Sequence, residues 1–199
     1  MTKSRLEAFS DGMFAIILTI LVLELHVPEL ENNSFAAFSA GLVELAPKFF
    51  AFLFSFFIIA IFWVNHHHII HQIKKVDTKL LWYNIGLLFF SSLFPFITAF
   101  IGDYMMNPFV VALYTLNMAL SSVMINALWK HAFVDSDLAI NDLTAAEKQQ
   151  RLKRDRMALL INLASAALAF VWVPITLMIM MVMPFAFVVP EFLANKQEE

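Results

Sequence analysis

The sequence predicts an all-α integral membrane protein of six transmembrane helices, with both termini in the cytoplasm. Three observations predict it. The first is composition: 61% of the 199 residues are apolar and only 15% charged, with a mean hydropathy of +0.76. A water-exposed fold needs about 25% charged residues to coat its surface. The second is a series of apolar runs near the ~20 residues that carry a helix across a ~30 Å hydrocarbon core. The third is the one-sided distribution of Lys and Arg. Cys is absent, which excludes disulfides, thiol catalysis and Cys-ligated metal.

The elements follow in order. Span one covers 4–27, with its apolar part from Gly12 to Leu25. It is not read as a cleaved signal peptide, because it carries Glu7 and Asp11 and lacks a small-residue cleavage site. Span two covers 47–72, preceded by an amphipathic outer turn or helix from Phe35 to Leu45. Span three covers 79–102 and span four 107–132. From Asp135 to Arg156 the chain is polar and reads as a solvated loop with a short helix. Spans five and six cover 155–173 and 175–193, divided at Trp172-Val173-Pro174, where a residue before Pro avoids helical geometry. A single helix over 157–189 is the rival, but its 33 residues would overshoot the core at 1.5 Å each.

Alternation then places 12 of the 13 Lys and Arg on one face, Lys196 included, and only Lys48 opposite. Positively charged short loops stay inside, so that face is cytoplasmic. Six spans preserve this alternation and five would break it. No repeat and no long linker is visible, so 1–199 reads as a single domain.

Arg5-Leu6-Glu7-Ala8-Phe9-Ser10-Asp11 runs straight into apolar span one. Charges at membrane depth are costly and normally find partners in protein or water. Asp11 lies six residues after Arg5, about 240° further round a helix, so the two cannot pair within it. Asp11 should therefore reach donors on another helix. Candidates are Trp63, Asn65, His66, His67, His68 and His71 at the inner end of span two, and Asn84 on span three. The plainer alternative is an interfacial cap, with Ser10 or Asp11 accepting from backbone amides.

Arg5, Phe9, Ser10 and Asp11 spell an R-x-x-x-F-S-D string at the head of the first helix. It resembles the signature of the transmembrane protein 175 family of potassium channels, in its prokaryotic branch. Trp63-Val64-Asn65-His66-His67-His68 and the basic loop between spans four and five fit the same resemblance. It covers essentially the whole chain. One motif per chain implies a homotetramer whose central pore is lined by four copies of span one. The resemblance also implies that Arg5, Ser10 and Asp11 join a polar network with spans two and three, Phe9 packing beside them. Trp63, His67, His68 and Asn84 are the partners expected there. No cofactor is expected beyond the transported K⁺, and no bound metal. The expected partners are the lipid bilayer, further copies of the chain and monovalent cations, with no nucleic acid.

Periodicity agrees with a pore helix. Ile16, Ile20, Leu23 and Val27 fall in one stripe, with Gly12 and Thr19 at its edge and Asp11 opposite. The same stripe would also serve lipid or packing. At a four-fold axis, Ile16 would form an apolar constriction with further rings from Ile20 and Leu23, and Thr19 would offer a hydroxyl one turn outward. No TVGYG-type filter is present. Outside, Glu29, Glu31, Glu44 and Asp103 outnumber Lys48 and would form an acidic mouth.

Two other classes compete. A secondary transporter would want broken helices and paired repeats; Pro95 and Pro184 could kink spans, yet no repeat symmetry is seen. An intramembrane metalloenzyme could use His67 and His71, spaced i, i+4, but there is no H-E-x-x-H and spacing does not identify a completing carboxylate. The expectation is a channel and not an enzyme.

Overall fold

The structure is a computed structural model describing residues 1–195, with side chains described through Pro184. Lys196, counted above on the basic face, lies outside the described residues. The described residues form seven α-helices: α1 Lys3–Ile20, α2 Phe35–His71, α3 Thr78–Ser92, α4 Phe94–Asp103, α5 Pro108–Lys130, α6 Ala145–Leu168 and α7 Val173–Asn195. No strand occurs among them, only an isolated antiparallel bridge between Ile73 and Ala139. Among the described residues, four helical runs are long and apolar enough to cross a membrane: Lys3–Glu24, Phe35–His71, Thr78–Asp103 and Pro108–Asp135.

Several boundaries differ from expectation for local reasons. α1 tightens into a 3-10 turn at Leu21–Glu24 and stops there, since Leu25 leaves helical geometry (φ −86°, ψ 84°) ahead of Pro28. Val27 is therefore not on the helical stripe. α2 does not start at 47. Ser34 caps it by accepting from the Ala37 amide, and the helix runs unbroken for 37 residues with Pro47 inside it. That is roughly 55 Å, far more than the bilayer core needs. The N-terminal arm of α2 is held because Pro28 and Leu30 close over Gly41; a Cβ at Gly41 would lie 2.9 Å from Leu30 Cδ2. The third span is two helices, parted at Leu93, where Pro95 takes the first turn of α4.

α6 begins at Ala145, about ten residues before the expected span. A full capping box starts it: Thr144 accepts from the Glu147 amide while Glu147 accepts from the Thr144 amide. The segment expected as a loop is therefore largely the polar first half of a helix. The break before the last helix falls at 169–172, and α7 starts at Val173, two residues before the expected 175.

The core runs through the middle of the bundle, with Leu6, Phe14 and Ile17 of α1 and Leu21 of the turn after it packed with Ile58 and Ile59 of α2 and Leu87 of α3. Lipid tails are as apolar as Leu, so helices in a bilayer associate through close packing and interhelical hydrogen bonds. One such set ties three helices: Tyr114 Oη on α5 lies 2.9 Å from Ser55 Oγ on α2, and Thr98 Oγ1 on α4 donates to that Ser55 at 2.7 Å.

The charges sort to the two ends. At one, Lys3 donates to the His71 carbonyl and Lys74 pairs with Asp137 at 3.0 Å. The Lys74 amide donates to Leu138 and the Ile140 amide to Gln72, so the loops after α2 and α5 are stitched together. At the other end Lys48 pairs with Asp103 at 2.8 Å beside Glu24. Lys3, Lys74 and Asp137 thus gather at one end of the bundle, and Lys48, Asp103 and Glu24 at the other.

Candidate functional site

α1 has two distinct faces. Leu6, Ser10, Phe14, Ile17 and Leu21 recur at three- and four-residue steps and are buried within the chain's own bundle. Gly12, Ile16, Thr19, Ile20 and Leu23 point the other way, Ile16 being 55% and Leu23 68% exposed. A Cβ added to Gly12 would meet nothing within 4 Å. Among the described residues, nothing covers this apolar stripe. Thr19 Oγ1 donates back to the carbonyls of Ala15 at 3.0 Å and Ile16 at 2.9 Å. Its proton is thus occupied by the helix, leaving the oxygen's lone pairs outward.

The buried face is anchored by polar contacts at its N-terminal end. Asn84 on α3 is the hub: its Nδ2 donates to Ser10 Oγ at 3.0 Å, and its Oδ1 sits 2.7 Å from His66 Nε2. Phe14 lies against the His66 ring, centroids 5.8 Å apart. One turn away, Trp63 Nε1 donates to Asp11 Oδ1 at 2.8 Å. Asp11 thus takes its donor from another helix, not from backbone amides. Glu7, one turn before Asp11, lies 3.3 Å from His71 Nε2.

Among the expected network residues, Ser10, Asp11, Trp63 and Asn84 meet across α1, α2 and α3. Arg5 is exposed and makes no hydrogen bond or ion pair among the described residues. Phe9 is half exposed rather than packed beside the polar groups. His67 lies between Trp63 and His71, its ring tilted against both with centroids at 5.8 and 4.4 Å, while His68 is exposed. Glu29 and Glu31 are exposed in the segment joining α1 to α2, at the Lys48 end. Glu7 was not expected as a partner. Its signal was available, since Glu7, Ser10 and Asp11 share a face at i, i+3 and i+4. The Ser55–Tyr114–Thr98 set was also missed; polar residues isolated in apolar spans were the cue.

A cavity of about 110 Å³ lies between α2, α5, α6 and α7. Its polar lining includes Asn65, Asn126, Arg151, Asp155 and Asn162. Arg151 pairs with Asp155 at 3.2 Å and sits 5.6 Å from the Trp129 ring centroid, so this part of the basic segment is packed rather than solvated.

A family model described as "Endosomal/lysosomal potassium channel TMEM175" matches residues 5–95, which include α1 and its partners on α2 and α3. A potassium channel of Chamaesiphon minutus is 33% identical over 187 residues, 92% of each chain. The chain belongs to the TMEM175 family. A potassium channel of a Chryseobacterium species is 47% identical over 125 residues, 62% of this chain and 61% of that one. The crystal structure of a lysosomal potassium-selective channel TMEM175 homolog from Chamaesiphon minutus superposes with a TM-score of 0.82 at 31% identity. It covers 94% of this chain and 97% of that one. TMEM175 is a family of channels, not of enzymes.

Proposed function

We propose that this chain is the subunit of a potassium-permeable cation channel of the cell membrane. In this reading four copies surround a pore lined by α1, and α6 and α7 complete six spans with both termini in the cytoplasm. The observation that carries it is the uncovered aliphatic stripe of α1, lying back to back with the Ser10–Asn84–His66 and Asp11–Trp63 contacts. Those contacts orient the helix in its own subunit and leave Ile16, Thr19, Ile20 and Leu23 to the axis. Relatives named potassium channel support the ion.

The mechanism follows from hydration. Four Ile16 side chains would narrow the pore to an apolar ring that dewets readily, and a passing cation must shed part of its shell. K⁺ sheds water more easily than Na⁺, which favours K⁺ without a ring of carbonyls. Ile20 and Leu23 extend the apolar section, and the outward lone pairs of Thr19 would partly rehydrate the ion. Glu29 and Glu31, repeated fourfold, would enrich cations at the outer mouth.

Recording from reconstituted protein under opposed K⁺ and Na⁺ gradients tests this. Discrete current steps reversing nearer the K⁺ potential are expected, and Ile16→Asn should raise conductance while lowering the preference for K⁺. Unchanged currents in Ile16→Asn would remove that residue from the constriction. The cavity between α2, α5, α6 and α7, mostly apolar but carrying Asn65, Asn126, Arg151, Asp155 and Asn162, is the feature a secondary transporter would use, and slow saturable uptake without current steps would favour that reading.

A further inference from the structure

The geometry points to a divalent transition-metal site of the zinc type, formed by Glu7 of α1 with His67 and His71 of α2. Each offers one ligand atom, and the three atoms lie within 4.8 Å of one another. The Glu7 Oε1 to His71 Nε2 separation of 3.3 Å matches the ligand–ligand edge of a tetrahedron with bonds of about 2.0–2.1 Å. His67 and His71 are spaced i, i+4 on one face of α2 and their rings are already in contact. The carboxylate that spacing could not identify comes from another helix. His67 Nδ1 is shielded from solvent and has no hydrogen-bond partner.

Two imidazoles and one carboxylate suit a borderline cation such as Zn²⁺ or Co²⁺, with water in the fourth position. Mg²⁺ and Ca²⁺ prefer oxygen donors and should be refused. Because Glu7 lies in the second turn of α1 and the histidines at the end of α2, a bound ion staples the two helices at their inner ends. Lys3, which donates to the His71 carbonyl at 3.0 Å, already draws the start of α1 to that turn. This goes beyond the channel reading and does not depend on it, since binding is measured without currents.

Titration calorimetry of Zn²⁺ into the purified full-length chain, in metal-free detergent buffer, tests the site. One Zn²⁺ per chain is expected, with no saturable heat from Mg²⁺. Losing a ligand should weaken binding at least about tenfold in both Glu7→Gln and His71→Gln. His71 is exposed, so His71→Gln leaves the packing intact and decides the matter if Glu7→Gln folds poorly. Absence of saturable Zn²⁺ binding by the wild-type chain, or unchanged affinity in His71→Gln, would overturn the site and leave potassium conduction untouched.

Discussion

Asn84 does more than its neighbours because three helices meet on it. Its amide serves Ser10 on α1 and His66 on α2, and all three side chains are buried. Removing it orphans two groups at once, whereas removing Ser10 leaves the Asn84–His66 bond in place. A buried polar group left without a partner costs about 1–3 kcal/mol. Hydrogen bonds within membranes average nearer 0.6 kcal/mol, because the unfolded state in lipid also finds partners. Asn84→Ala should therefore lower stability by about 1–3 kcal/mol and Ser10→Ala by under about 1 kcal/mol, read by SDS titration of the folded protein. Equal losses in the two variants would mean that Asn84 is not the hub. Residue identity told the sequence reader which polar groups needed partners. It did not say that Asn84 would take Ser10 and Trp63 would take Asp11, because helix rotation and depth assign partners.

At the scale of elements, the membrane runs stand out by hydropathy and the polar joints between them do not. The start of α3 is a case. Asp77 caps it by accepting from the Leu80 amide at 2.8 Å, and its other oxygen lies 2.7 Å from His131 Nε2 in the π-helical turn that ends α5. One carboxylate thus joins a helix start to a helix end. Partial burial pushes the Asp77 carboxyl up, but the Leu80 amide and His131 outweigh it, and Asp77 ends below the ordinary 3.8. A carboxylate held low stabilises the fold above its unfolded value and loses that contribution as pH falls through its folded value. Asp77→Ala should therefore unfold at lower temperature than wild type at neutral pH, with the gap closing as pH drops below about 3.8. A gap constant across that range would show that the charge on Asp77 contributes nothing. The long α2 and the early α6 were hidden for a related reason: Pro47 lies in an exposed position that tolerates a lost amide, and the polar half of α6 carries no hydropathy signal.

For the whole molecule the open matter is what covers the α1 stripe. In the single chain Ile16 is 55% exposed, while Ile17 beside it is 3% exposed. If four copies meet along α1, position 16 of one copy faces position 16 of another and position 17 does not. The natural chain has no Cys, so single cysteines report without background. Ile16→Cys in membranes treated with a short thiol–thiol cross-linker should give covalent dimers, and Ile17→Cys should not. Ile16→Cys staying monomeric, or joining no better than Ile17→Cys, would put the stripe against lipid.

The sequence alone determined that the chain lives in a bilayer and which of its runs are apolar, but not where the helices begin and end. The first two follow from solvation, which acts on each segment by itself: apolar runs of the right length enter hydrocarbon, and charged loops stay out. Only the tertiary structure decided the partner of each buried polar group, the seating of Glu7 beside two histidines and the face of α1 left uncovered. Those depend on the relative rotation and height of packed helices. Rotation by one residue, 100°, would have exchanged the anchored face for the open one.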